Sequence, residues 1–267
     1  MGSNGRAILF AIVVAAGCGS AAQAQWAARP NSGNQANLQA ESEQLFALAN
    51  QARARAGVGQ LQWDLALAAA ALKHCQRMAA EGPISHRYGG EEDLKVRAAG
   101  AGASFSVIEE NVAVGPSAAA IHEMWMESPG HRENLLSPEV DRVGVAVVAA
   151  RGVLYAVADY ARAVEQLSAA EVEARVAALV TPSGVTILQD PSAARAACTV
   201  DQGMPRATGA LQPHFIMRWQ DADLSHLPQE LVDNLQTGRY RAADVGSCPA
   251  QGDGGAFTVY RVAVILY

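Results

Sequence analysis

Three short segments of the sequence hold side chains able to do chemistry: Ser85-His86, Glu110-Asn111 and Gly130-His131. By the surrounding pattern all lie on loops or at element ends. Two imidazoles and one carboxylate suit a divalent cation. Imidazole is a good zinc ligand, and a His/His/carboxylate set leaves one coordination position open for water. Glu110 then has two roles open to it, third ligand or base for that water. The segments lie far apart in sequence, so only the fold can bring them together. The opposing reading makes His86 and His131 hydrogen-bonded loop residues near the surface. A serine or cysteine nucleophile is not expected. No Gly-x-Ser-x-Gly elbow is present, and His74 and Cys75 are helix neighbours, which do not face each other.

These residues need a scaffold, and the apolar spacing describes one. Leu45, Leu48, Ala49, Ala52 and Ala56 recur at helical intervals, with Gly57 and Gly59 as the stop. Asp64 is placed to cap a second helix, whose predicted core stripe is Leu65, Ala68, Leu72, Cys75 and Ala79. Gly82-Pro83 ends it, and His86 follows on a loop. A short helix is expected over 91–99. Phe105 to Val114 reads as extended and turns at Gly115-Pro116. Ser117 then caps a helix with the stripe Ile121, Met124 and Trp125. That helix ends at Ser128-Pro129-Gly130, a corner that would aim His131. Val143, Val145 and Val147 alternate with small residues, Arg151-Gly152 forms a hairpin turn, and Leu154 to Tyr160 makes a second antiparallel strand. Trp63 and Trp125 read as packing residues. Asn111, Arg132 and Asn134 are expected to fix the corner by hydrogen bonds, and Cys75 to be a buried free thiol.

Ala161 to Ser168 is a boundary candidate. Beyond it come a helix over 169–180, an alternating segment at Phe215–Trp219, and a helix with Leu227, Leu231 and Leu235 on one face, Pro228 in its first turn and Gly238 at its end. Phe257 to Tyr267 is almost continuously apolar and reads as a central strand. No sequence repeat is apparent. Cys198 and Cys248 are the natural disulfide pair; closing a loop of about 50 residues contributes about 4 kcal/mol on the chain-entropy model. At the other end, Arg6, the apolar run Ala7–Ala16 and Ala22-Gln23-Ala24 read as a signal peptide, residues 1–24, cleaved after Ala24. Lipidation at Cys18 is the alternative. Either way the protein is expected outside the cytoplasm, periplasmic or extracellular. Residues 25–39 read as a flexible leader. The chain has 267 residues and a net charge of −6, without a basic cluster, which argues against nucleic acid as a partner. No later run is long and apolar enough for a transmembrane helix.

The segments LQWDLALAAAALKHCQRMAAEGPISH, EENVAVG, IHEMWMESPGHRENLLSPEVDRVGVAVV and YAVADYA, in this order, resemble the CAP superfamily of cysteine-rich secretory, antigen 5 and pathogenesis-related proteins. The pattern W-M-x-S-x-G-H-R-x-N-L/I is similar to its bacterial branch, and the resemblance runs from about Leu38 to Ala161. It implies an α+β fold, an α-β-α sandwich with a central antiparallel sheet over residues 40–163; residues 169–267 resemble no family and read, from their own pattern, as a small α+β domain. The resemblance also implies a cleft lined by two histidines and acidic residues, which in some members binds a divalent metal such as zinc. By position these are His86, His131 and Glu110. Eukaryotic members carry a second glutamate three residues after the helix tryptophan. Here that residue is Ser128, and Glu127, about 100° round the helix, points elsewhere, so the resemblance implies a weakly held ion. Three functions follow from it: an exported binding module for a lipid, cell-wall component or protein; a metal-dependent hydrolase with Glu110 as base; and a sterol or lipid carrier.

Overall fold

The computed structural model describes residues 32–203, 211–250 and 256–267. The signal segment, with Cys18, and the leader as far as residue 31 lie outside the described residues. The first unit runs α1 (Ser32–Ala56), β1 (Gln62–Trp63), α2 (Leu65–Glu81), α3 (Leu94–Gly100), β2 (Phe105–Gly115), α4 (Ala118–Glu127), α5 (Pro129–Leu136), β3 (Arg142–Ala150) and β4 (Val153–Ala163). Its sheet has the order β1-β3-β4-β2. The pairs β3–β4 and β2–β4 are antiparallel, as expected, while β1 joins β3 in parallel through two residues. Because strand side chains alternate between faces, Val143, Val145, Val147, Ala156, Ala158 and Tyr160 pack against α1, α4 and α5, while Val112, Ala146 and Val157 pack against α2. Both faces are thereby covered, and the unit is an α-β-α sandwich.

Three expectations change. The leader is helical from Ser32, since α1 begins there; Leu38 packs on the first core and Glu41 Oε2 accepts from the Ala118 N–H at the start of α4. The core stripe of α2 is Leu67, Ala71, Cys75 and Met78, with His74 buried beside it, whereas Leu65 is 81% exposed and Leu72 lies at the surface. The helix is apolar nearly all round, so periodicity alone does not pick a face. The sheet picks it at Gly144, where an added Cβ would lie 2.0 Å from the Ala68 nitrogen. Third, Pro129 and Gly130 open α5, with Pro129 at its first position, which suits a residue with fixed φ and no N–H.

The second unit follows without a free linker: Val164 already belongs to its core. It comprises α6 (Ala169–Val180), β5 (Thr186–Ile187), α7 (Ser192–Cys198), β6 (Phe215–Asp221), α8 (Gln229–Gln236), β7 (Ala242–Cys248) and β8 (Tyr260–Leu266). The helix over 169–180 and the buried central strand at the C-terminal end are as expected. Cys198 and Cys248 are bonded, tying α7 to β7, and Cys75 is a buried free thiol. The strand order β5-β7-β8-β6 repeats that of the first sheet, with the same senses throughout. Even the parallel edge matches. Thr186 and Leu188 donate to Arg241 O and Ala243 O just as Gln62 and Asp64 donate to Asp141 O and Val143 O, all at 2.9 Å. Gly246 of β7 touches the backbone of α7 as Gly144 touches that of α2. The chain therefore repeats an architecture without repeating its sequence.

Candidate functional site

The edge strand β2 carries the candidate cleft. Glu110 and Asn111 are successive residues on it, so one points to the α2–α3 layer and the other to the α5 layer. His86 arrives on the loop after α2, and its Nδ1 lies 2.8 Å from Glu110 Oε1. That loop is held from beneath by two buried groups. His74 on α2 places Nδ1 2.8 Å from Glu91 Oε1 and Nε2 2.9 Å from Ser85 O. Arg97 on α3 donates from Nη2 to Glu110 Oε2, and from Nη1 to His86 O at 3.1 Å and Glu92 O at 3.3 Å.

His131 comes from the opposite layer, on the first turn of α5. Asn111, fully buried, donates to His131 O at 2.8 Å, and Asn134 donates to Asn111 Oδ1 at 3.0 Å and to Glu110 O at 3.1 Å. These two amides rivet α5 to β2. Ser128 is the joint between α4 and α5: its N–H donates to Met124 O and its carbonyl accepts from Arg132, with no side-chain cap bond. The Arg132 side chain is exposed and lines a separate hollow with Glu109, Glu133 and Glu139. Of the expected supporting residues, Asn111 and Asn134 thus reach the cleft, and the Arg132 side chain does not.

The electrostatics separate the two histidines. The hydrogen bond from Glu110 raises the pKa of His86 against an opposing effect of burial; burial, with the nearby His86, lowers that of His131. Protonation is therefore favoured at His86 over His131. Directly across β2 from Glu110 stands Asp159 of β4. It is fully buried, and neither carboxylate oxygen has a donor at bonding distance. Burial, and then the Glu110 charge, push its carboxyl well above the usual range. Sequence reading missed His74, Glu91, Arg97 and Asp159. His74 and Asp159 lie inside two of the CAP-like segments, but neither was assigned a role there, and Glu91 and Arg97 lie outside all of them.

The donors do not form a divalent-metal centre as they stand. Both Glu110 oxygens are engaged, one by His86 and one by the Arg97 guanidinium. Among the described residues no three His, Cys, Asp or Glu side chains are grouped to hold a metal ion.

Residues 46–160 match the family model described as CAP, the cysteine-rich secretory protein family. This part of the chain is a CAP domain. Over 118 residues the chain is 34% identical to the uncharacterized membrane protein YlbC of Bacillus subtilis (strain 168), a match covering 41% of this chain and 32% of that protein. The chain thus spans about a third of the curated relative it matches. Among solved structures, an extracellular protein containing an SCP domain from Bacillus anthracis str. Ames is 27% identical, covering 46% of this chain and 41% of that one, with a TM-score of 0.44. An outer surface protein of Borrelia burgdorferi is 19% identical, covering 46% of this chain and 92% of that one, also with a TM-score of 0.44. All the residues of the cleft lie within the CAP domain. Among the described residues no helix is long and apolar enough to cross a membrane.

Proposed function

We propose that the chain is an exported binding module, with its CAP domain over residues 40–163 and an accessory domain over 169–267, and that His86 and His131 contact the ligand. One observation carries this reading. Glu110, the carboxylate considered above as a catalytic base, is buried, and its two oxygens are bound to Arg97 and His86. A base must reach the proton it takes, and the Glu110 side chain is 3% exposed with both oxygens already engaged. The His86 side chain, by contrast, is 60% exposed, with Nδ1 turned to Glu110 and Nε2 left for a ligand. An imidazole that holds its proton more tightly, beside one that holds it less, suits an anionic or hydrogen-bond-accepting group on an extracytoplasmic lipid, glycan or protein. The relatives described as extracellular, outer-surface and membrane proteins support the location.

The test pairs binding with turnover. Purified protein is offered envelope lipids and cell-wall fragments, and separately a panel of peptide, ester and glycan substrates. Saturable binding, weakened in His86→Ala and His131→Ala, with no turnover, is the expected result. Turnover abolished by Glu110→Gln would establish the hydrolase instead. The carrier reading has one observation in its favour, a cavity of about 810 Å³ between α2 and α3 with small walls at Ala69, Ala70, Gly100 and Ala101 and Lys73 and Arg77 along it. Extraction and mass spectrometry of the purified protein separates the two, since a carrier would bring a lipid with it.

A further inference from the structure

We infer that Arg97 is the resident cation of the cleft: its guanidinium takes the place beside Glu110 that a divalent ion would need, and the cleft assembles without metal. The inference rests on the cleft proposed above and concerns what holds it together. Three observations carry it. The Arg97 side chain is 4% exposed and that of Glu110 3%, so the pair is sealed from solvent and its attraction is little screened. The same guanidinium also bonds the carbonyls of His86 and Glu92, so it anchors the loop at His86 itself and again just before α3. Arg97 thus does the organising that a metal does for its ligands, through a planar fork in place of a coordination shell.

The third observation is crowding. Around Glu110 stand Arg97, His86 and His74, the last with Nε2 3.9 Å from Glu110 Oε2, and Asp159 across the strand pair. A dication entering here would meet the guanidinium at contact distance in a buried pocket, where like charges repel strongly. Coordination by Glu110 would require its bond to Arg97 to break. What remains for an ion is exposed His86 and half-buried His131, two ligands where a stable site uses three or four.

The test is to remove the guanidinium and offer the ion. Zinc chloride is titrated calorimetrically into wild type, Arg97→Met, Arg97→Lys and Arg97→Met/Glu110→Gln, with thermal melts in zinc and in chelator. Wild type and Arg97→Lys should show no saturable zinc uptake that depends on Glu110, and no change in Tm. Arg97→Met should take up one zinc per chain, bound about tenfold or more tighter than in wild type, an outer-shell-sized change or larger, and its Tm should rise with zinc. The double variant, with neither charge, should fold and bind none. Tight zinc uptake by wild type that is lost in Glu110→Gln overturns the inference. So does a folded Arg97→Met without gained affinity, or an Arg97→Met that folds neither with zinc nor without it. Catalytic turnover would overturn the binding-module reading and leave these zinc measurements standing; failure here would leave ligand binding by His86 and His131 standing.

Discussion

At the scale of single residues the cleft is a set of matched protonation states. His86, whose pKa Glu110 raises, favours folding while it is charged: its contribution is fully present below the unfolded value, about 6.5, and is lost as pH rises through the higher folded value. Titration of the imidazole C2–H resonances should therefore find His86 above and His131 below the ordinary value, and Glu110→Gln should bring His86 down. Asp159 follows the same sign with a carboxyl group. Its folded pKa is raised, so its contribution is complete below the unfolded value of about 3.9 and is lost as pH climbs through the folded one. Asp159→Asn should flatten this part of the stability profile and be the more stable form at pH 8, measured by urea unfolding from pH 4 to 8. An amide is neutral at every pH and carries a donor that can face Glu110.

At the scale of elements, a few close approaches decide how helices sit on the sheets. Arg53 on α1 is 1% exposed and donates to Leu135 O, Ser137 O and Val140 O, tying α1 to the end of α5 and the start of β3. Arg53→Met should cost about 1–3 kcal/mol, because buried carbonyls lose their donor, and should loosen α5, which carries His131; hydrogen exchange over 129–136 reports it. The contact at Gly144 is tighter still. Gly144→Ala would drive a methyl into the α2 backbone, and Gly246→Ala would do so in α7 with 2.2 Å to the Arg195 nitrogen. Each should cost at least about 1–3 kcal/mol, the range for overpacking, read as a fall in Tm. The capping of α7 shows how the repeated architecture is met with different residues. Asp64 caps α2 from its own N-cap, whereas Pro191 cannot cap, and Asp244 of β7 reaches the Ala194 N–H at 2.9 Å.

At the scale of the whole molecule, the two units share one chain topology but differ at the site. Matching the parallel edges of the two sheets sets Glu110 and Asp159 against the corresponding pair Ile216 and Ile265. The buried acid pair of the first sheet is an aliphatic pair in the second, so the second unit has the scaffold without the acids. The units meet where Phe257 packs edge-on against Phe105 at 5.5 Å and Thr258 N–H donates to Phe105 O at 2.8 Å. Phe257 also joins the cluster holding Ala98, next to Arg97 on α3. Phe257→Ala should therefore weaken the coupling between units and split a single calorimetric transition toward two. Reducing the Cys198–Cys248 bridge should remove up to about 4 kcal/mol from the second unit, with the lower transition moving most.

The sequence by itself determined most of the helices and the long strands, the disulfide and the short range of residues that could form a cleft, and its family resemblance supplied the sandwich class of the first unit; β1, α5, β5, α7 and β7 emerged only in the structure. Periodicity, caps and turn residues are local, and a run such as Ser117–Trp125 carries them whatever surrounds it. The ordered CAP motifs added the expected meeting of His86 with Glu110. Only the tertiary structure decided which face of α2 is buried, because an alanine-rich helix offers several and Gly144 accepts one. It alone brought Arg97 to Glu110 and set Asp159 across from it. Nothing near 97 or 159 in the chain announces a partner, since ion pairs and strand register are long-range facts. The same holds for the repeated sheet: a topology is fixed by pairing, and two unrelated stretches of sequence can satisfy the same pairs.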